Sequence, residues 1–185
     1  MRPLADSPEL IASKTWVEQV VVGLNLCPFA AAPLRGGDVR WLECASQDPA
    51  DVLAAALDAA GDLVTGEPEP HATTLLVLPN ALPDFLDYWD VVGELEDLLA
   101  ELGLEGTLQV ASFHPDYRFD GEPEVDALTN RSPHPMLHLL READVSEAVA
   151  RHPDAGAIPE RNVARVRALS PERIAQLWGP RSSGG

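Results

Sequence analysis

Three short apolar runs constrain the fold of this chain more than any other feature. Val39–Ala45, Thr73–Leu78 and Thr107–Phe113 each have the length of a strand. The segments around them carry apolar residues at three- and four-residue steps, the period of an amphipathic helix. Thr73–Leu78 is nearly unbroken in its apolar character and ends at Pro79-Asn80, as expected of a strand covered on both faces. Thr107–Phe113 alternates instead, with Leu108, Val110 and Ser112 opposed to Gln109, Ala111 and Phe113. The order is helix, strand, helix, strand, helix, strand, then more helix, which favours right-handed crossovers. We therefore expect one α/β domain over residues 1–178: a small, mostly parallel or mixed sheet of three to four strands, flanked by helices, with a C-terminal helical segment. Residues 179–185 read as a disordered Gly/Ser-rich tail.

Local signals place the helices. Ser7 is a good N-cap for a helix over Pro8–Leu26, with Pro8 at its first position and Glu9 at the positive end. A second helix follows Asp48-Pro49. A third opens near Pro83, carries Phe85, Tyr88, Val92, Leu95, Leu99 and Leu102 on one face, and closes at Gly103. Short helices are expected over Pro135–Glu142, Val145–His152, Pro159–Leu169 and Pro171–Trp178, the last capped by Ser170. His114–Pro135 has no period and holds Pro115, Gly121, Pro123 and Pro133, so it reads as a long loop; a loop of this length is usually either functional or a sign of a mistaken assignment.

Composition excludes several classes. A chain of 185 residues can bury a sizeable core without staples. Thirteen basic against thirty acidic residues give a net charge of −17, which argues against duplex DNA or an anionic membrane as the main partner. Cys27 and Cys44 cannot make a disulfide framework, and Met1–Asp6 lacks the apolar core of a signal peptide, so a reducing cytosol is expected. No apolar window is long enough to span a membrane.

Reactive side chains concentrate in Gly-Leu-Asn-Leu-Cys-Pro-Phe-Ala around Cys27, in Phe-His-Pro-Asp-Tyr-Arg-Phe around His114, and in Thr-Asn-Arg-Ser-Pro-His-Pro-Met-Leu-His-Leu-Leu-Arg-Glu from Thr129 to Glu142. In these strings the chain resembles a bacterial family known as domain of unknown function 1415, over roughly Lys14 to Ala168. The resemblance implies a family and no particular reaction, so chemistry must come from the residues themselves.

Cys27 has two readings. It is either a small buried hydrophobe closing the first helix or a reactive thiol. At the end of that helix the dipole would raise its pKa; as the cap of a new helix over Phe29–Ala32 the dipole would lower it. Cys44 lies in a strand pattern and reads as core. His114 follows the last strand at its C-terminal end, where ligands of parallel sheets gather, and Pro115 holds its backbone extended. Asn130, Arg131 and Ser132 precede an expected Pro-initiated helix; free N–H groups, a hydroxyl and a guanidinium there could bind an anion. The plainer reading is an N-cap with an arginine paired to an acid.

His134 and His138 are four residues apart, and on a helix His138, Arg141 and Glu142 would share a face. A His pair at that separation could chelate a divalent metal, with Cys27 or His114 completing the set, although the chain has no His-Glu-x-x-His motif and His134 could serve merely as a cap. These residues suggest an enzyme acting on a small anionic metabolite, a carboxylate or phosphate. Arg131 and Arg141 would hold the anion beside Asn130, Ser132 and Glu142; His114 or His138 would move protons, and Cys27 would be nucleophile or metal ligand. The alternatives are a non-catalytic metal- or metabolite-binding protein and an interaction domain. The enzyme reading requires Cys27, His114, Arg131 and His138 to line one pocket.

Overall fold

The Ser7 hydroxyl accepts the Leu10 N–H at 3.0 Å and starts α1 (Pro8–Trp16), as its sequence signal predicts. In the computed structural model, which describes residues 6–66 and 69–179, this helix does not run unchanged to Leu26. It widens into a π-helical segment, Val17–Val22, then ends in turns, with Asn25 in the left-handed region at φ 50°. Gly23 sits at this junction, where an added Cβ would lie 2.2 Å from the Gln19 carbonyl oxygen. A short helix, α2 (Ala31–Gly36), leads into β1 (Val39–Glu43). Next come α3 (Pro49–Thr65), capped by Asp48, and β2 (Thr73–Val77). Asp84 then caps α4 (Phe85–Glu101), which precedes β3 (Leu108–Phe113).

The expected helix over Pro135–Glu142 is instead a strand, β4 (Met136–Arg141). It lies between β2 and β3 and runs antiparallel to both, giving the order β1-β2-β4-β3 with β1 parallel to β2. A six-residue apolar run is too short for periodicity to separate strand from helix. Pairing decides it, because β4 completes the hydrogen-bonding edges of two strands at once, with His138 opposite both Leu75 and Ala111. The sheet is thus mixed, as the element order allowed, and has four strands.

Helices cover both faces. On one, α3 and α4 pack Val52, Ala56, Leu63, Tyr88 and Leu95 against Leu76, Leu137 and Leu139. On the other, α1 and the π segment place Trp16, Val17 and Val20 over Leu75, Val77 and Met136. The chain finishes with α5 (Glu142–Arg151), then α6 (Ile158–Arg167) and α7 (Pro171–Trp178), of which α6 and α7 pack on this second face. Val166, Ile174 and Leu177 join its core. Apart from Gly179, the expected tail over 179–185 lies outside the described residues.

Side-chain hydrogen bonds fix the packing of these layers. The Tyr88 hydroxyl is fully buried; it donates to the Met136 carbonyl at 2.7 Å and accepts the Phe113 N–H at 3.0 Å, pinning α4 to the paired ends of β3 and β4. Arg165 donates to the Leu24 and Asn25 carbonyls and Asn162 to that of Leu26, so α6 satisfies the carbonyls left open after the π segment. Arg167 grips Asp126 through two hydrogen bonds, and this holds the Asp126 carboxyl below its usual range.

Candidate functional site

The long loop after β3 is tied at its ends. The His114 N–H donates to the Asn130 carbonyl at 3.2 Å, and the Asn130 side-chain amide returns a bond to the Ser112 carbonyl at 3.3 Å. Between these ties the chain makes a closed excursion containing one short turn of 3₁₀ helix, Asp126–Thr129.

His114 is fully buried rather than facing a ligand. Its Nδ1 accepts the Asp116 N–H and its Nε2 donates to the Leu82 carbonyl, both at 3.0 Å. That pattern requires the neutral ring. Burial lowers its pKa, while the Leu82 carbonyl and the Asp116 and Asp84 carboxylates pull the other way. Leu82 itself has φ 55°, a left-handed conformation unusual for leucine. His114 therefore joins a strained turn before α4 to the start of the long loop.

These two segments enclose a cleft of about 1350 Å³. Phe85 and Trp89 of α4 form one wall, and Tyr117 and Phe119 of the loop form another. Phe85 and Tyr117 lie with ring centroids 5.0 Å apart, Tyr117 and Phe119 5.3 Å apart, and Trp89 stands at 89° to Tyr117. Arg131 reaches into this cleft with its side chain only 11% exposed. Its Nε donates to the Tyr117 carbonyl at 2.8 Å, and Trp178 donates to its own carbonyl at 3.0 Å, so both side chain and backbone are held. The nearest carboxylate, on the 81% exposed Glu124, is 3.9 Å from Nη1. A well-positioned guanidinium thus keeps donor capacity toward the cleft. Asp116, Asp120, Glu122 and Glu124 also line it, as does Arg118.

Cys27 lies elsewhere, in a smaller cavity of about 320 Å³ shared with Leu26, Phe113, Asn130, Ile158 and Asn162. The N–H groups of Phe29 and Ala30 face its thiol and favour the thiolate, but α2 opens at Ala31 with Ala30 as its N-cap, so the expected helix over Phe29–Ala32 capped by Cys27 does not form. Burial outweighs the two N–H groups and raises the pKa. Cys44 falls just after β1 rather than within it and is partly buried against the core.

The expected joint pocket does not form. Cys27 shares its cavity with Phe113, on the α1 side of the sheet, whereas His114 packs against Phe85 and Tyr88 of α4 on the opposite side. His138 lines neither cavity. It points to the α1 side, where its Nε2–H donates to the Thr73 hydroxyl at 2.6 Å beneath the Phe113 ring. Because β4 is a strand, Arg141 faces the other way and donates to the Leu63, His71 and Ala72 carbonyls, closing the end of α3. The shared face expected of His138, Arg141 and Glu142 is lost with the helix; Glu142 begins α5 and its N–H bonds the Thr107 carbonyl. No helix N-terminus follows Ser132, whose buried hydroxyl donates to the His134 carbonyl at 2.6 Å. His114, His138 and Cys27 do not converge as metal ligands, and among the described residues no group of three or more His, Cys, Asp or Glu side chains is placed to hold a metal.

A family model described as Protein of unknown function (DUF1415) matches residues 10–176. The chain belongs to this family. No curated protein and no solved structure matches it. No helix among the described residues is long and apolar enough to cross a membrane.

The ring wall does not follow from the hydropathy pattern, although the sequence carries a signal of it. Of the ten aromatic residues, six fall in two short stretches, at 85–89 and 113–119. Phe85 and Tyr88 fit the core stripe of α4, but Trp89 lies beside that stripe and has no core role to explain it.

Proposed function

We propose that the chain binds a small organic anion, a carboxylate or phosphate, in the aromatic cleft through Arg131. The observation that carries this reading is the Arg131 side chain, largely buried in the cleft and fixed through Nε, with only a long, solvent-screened contact to Glu124. A buried guanidinium without a close carboxylate gains most from an anionic guest. The rings supply apolar area and flat surfaces for the body of the ligand. A binding role fits better than catalysis, because Cys27 and His138 do not line the cleft and both ring nitrogens of His114 are taken up by the Leu82 carbonyl and the Asp116 N–H.

Calorimetric titration with benzoate and phenyl phosphate tests the reading. Arg131→Ala should weaken binding by about 1.5–3 kcal/mol, the range for a charged hydrogen bond. Arg131→Lys should recover only part, since a point charge cannot reproduce the guanidinium fork. Equal affinity of wild type and Arg131→Ala for these anions, with the variant merely melting earlier, would make Arg131 a structural residue.

A further inference from the structure

We infer that the ligand of this cleft is a zwitterion, with its anionic end on Arg131 and an alkylated ammonium group against the rings. The inference rests on the anion-binding reading and narrows it. Four carboxylates line the cleft against two guanidiniums, so a purely anionic guest binds Arg131 against a net negative lining. A guest with a cationic end turns those carboxylates into favourable neighbours, and, being neutral overall, it escapes the repulsion that the protein's charge of −17 exerts on a simple anion.

The rings are arranged for a cation. Trp89 and Tyr117 lie 6.1 Å apart at 89°, and Tyr117 and Phe119 meet at 66°, so the walls form corners rather than a flat stack. A cation in such a corner reaches more than one electron-rich ring face. The cleft already holds one such contact: the Arg118 guanidinium sits 5.6 Å over the Phe85 ring. Trp89 and Phe119 remain 48% and 38% exposed at the rim, large aromatic surfaces that pack on nothing sufficient to bury them. A methylated ammonium suits these surfaces better than a bare one. It has no N–H groups to satisfy, and its methyls contact the rings while the charge is felt by Asp116, Asp120 and Glu122.

The test uses the full chain and calorimetry with four compounds: benzoate, glycine betaine, γ-butyrobetaine, and the anionic isostere of γ-butyrobetaine in which a tert-butyl carbon replaces the nitrogen, so that the carboxylate stays and only the positive charge is lost. At least one betaine should bind, and γ-butyrobetaine should bind about tenfold tighter than its tert-butyl counterpart, the size of a desolvated cation–π contact. Trp89→Leu should abolish that preference and Trp89→Phe should keep part of it; both should fold, because Trp89 is half exposed. Arg131→Ala should weaken the betaine and the counterpart alike. If the tert-butyl compound binds as tightly as γ-butyrobetaine, or if benzoate binds through Arg131 and neither betaine does, the zwitterion inference is wrong and the anion cleft stands. Failure of all four compounds, or binding indifferent to Arg131→Ala, overturns both.

Discussion

Acid should unfold this protein partly through His138, and the effect can be sized from the structure. The Thr73 hydroxyl has one proton, which goes to the Leu139 carbonyl at 2.7 Å, so it must accept from His138 Nε2–H. The ring is neutral, and a second proton would place a charge between the sheet and Phe113 with no carboxylate bonded to it. Burial pushes its pKa down from 6.5 to about 4. A histidine whose folded pKa is depressed stabilises fully above its unfolded pKa and loses that contribution as pH falls toward the folded value. From 6.5 to about 4, at about 1.36 kcal/mol per pH unit, the full loss is roughly 3 kcal/mol. About 2 kcal/mol of this is gone by roughly pH 5. His138→Gln can keep a side-chain N–H for Thr73 but cannot titrate. Urea unfolding followed by tryptophan fluorescence between about pH 7 and 5 should therefore give a flatter stability curve for the variant, by about 2 kcal/mol over the interval. His114, also depressed, and Asp126 contribute equally to both proteins and cancel in the comparison. Parallel curves, or an imidazole that titrates near its unfolded value in the native protein, would show that His138 is not held neutral by its surroundings.

Three further outcomes follow from named contacts. Tyr88→Phe should cost about 1–3 kcal/mol in denaturant unfolding, because it strips a partner from the buried Phe113 N–H and Met136 carbonyl together; a cost near zero would mean that these groups find other partners. Gly23→Ala should destabilise by about 1–3 kcal/mol, since its methyl must displace the backbone at Gln19, and a stabilised variant would contradict the close approach. Cys27 should alkylate more slowly at neutral pH than an unperturbed thiol, because burial outweighs the two N–H groups facing it, and Cys27→Ala should cost only about 1 kcal/mol; faster modification than free cysteine would reveal a thiolate.

Most of the framework is legible because its signals are local. Ser7, Asp48 and Ser170 cap helices where their side chains can reach free N–H groups, and the unbroken run at Thr73–Val77 is buried throughout, as its composition implies. The identity of β4 is not local. Met136–Arg141 becomes a strand because two distant strands offer hydrogen-bonding edges on either side, and that single change moves His138 and Arg141 to opposite faces. The sequence singles out Arg131 by its neighbours Asn130 and Ser132, but its environment is not legible there. The rings beside it come from α4 and from the loop, brought together by His114, which bonds Asp116 two residues on and the Leu82 carbonyl 32 residues earlier. Asn130 likewise serves the loop closure, through a bond to a strand 18 residues earlier.

An amide chemical-shift map with phenyl phosphate tests the central claim most directly, because it separates the two cavities. The account predicts saturable shifts concentrated at Asp116–Gly121, at Arg131 and at the first turns of α4, all greatly reduced in Arg131→Ala. Shifts centred instead on Cys27, Asn162 and Val163, or unchanged by loss of the Arg131 guanidinium, would contradict it.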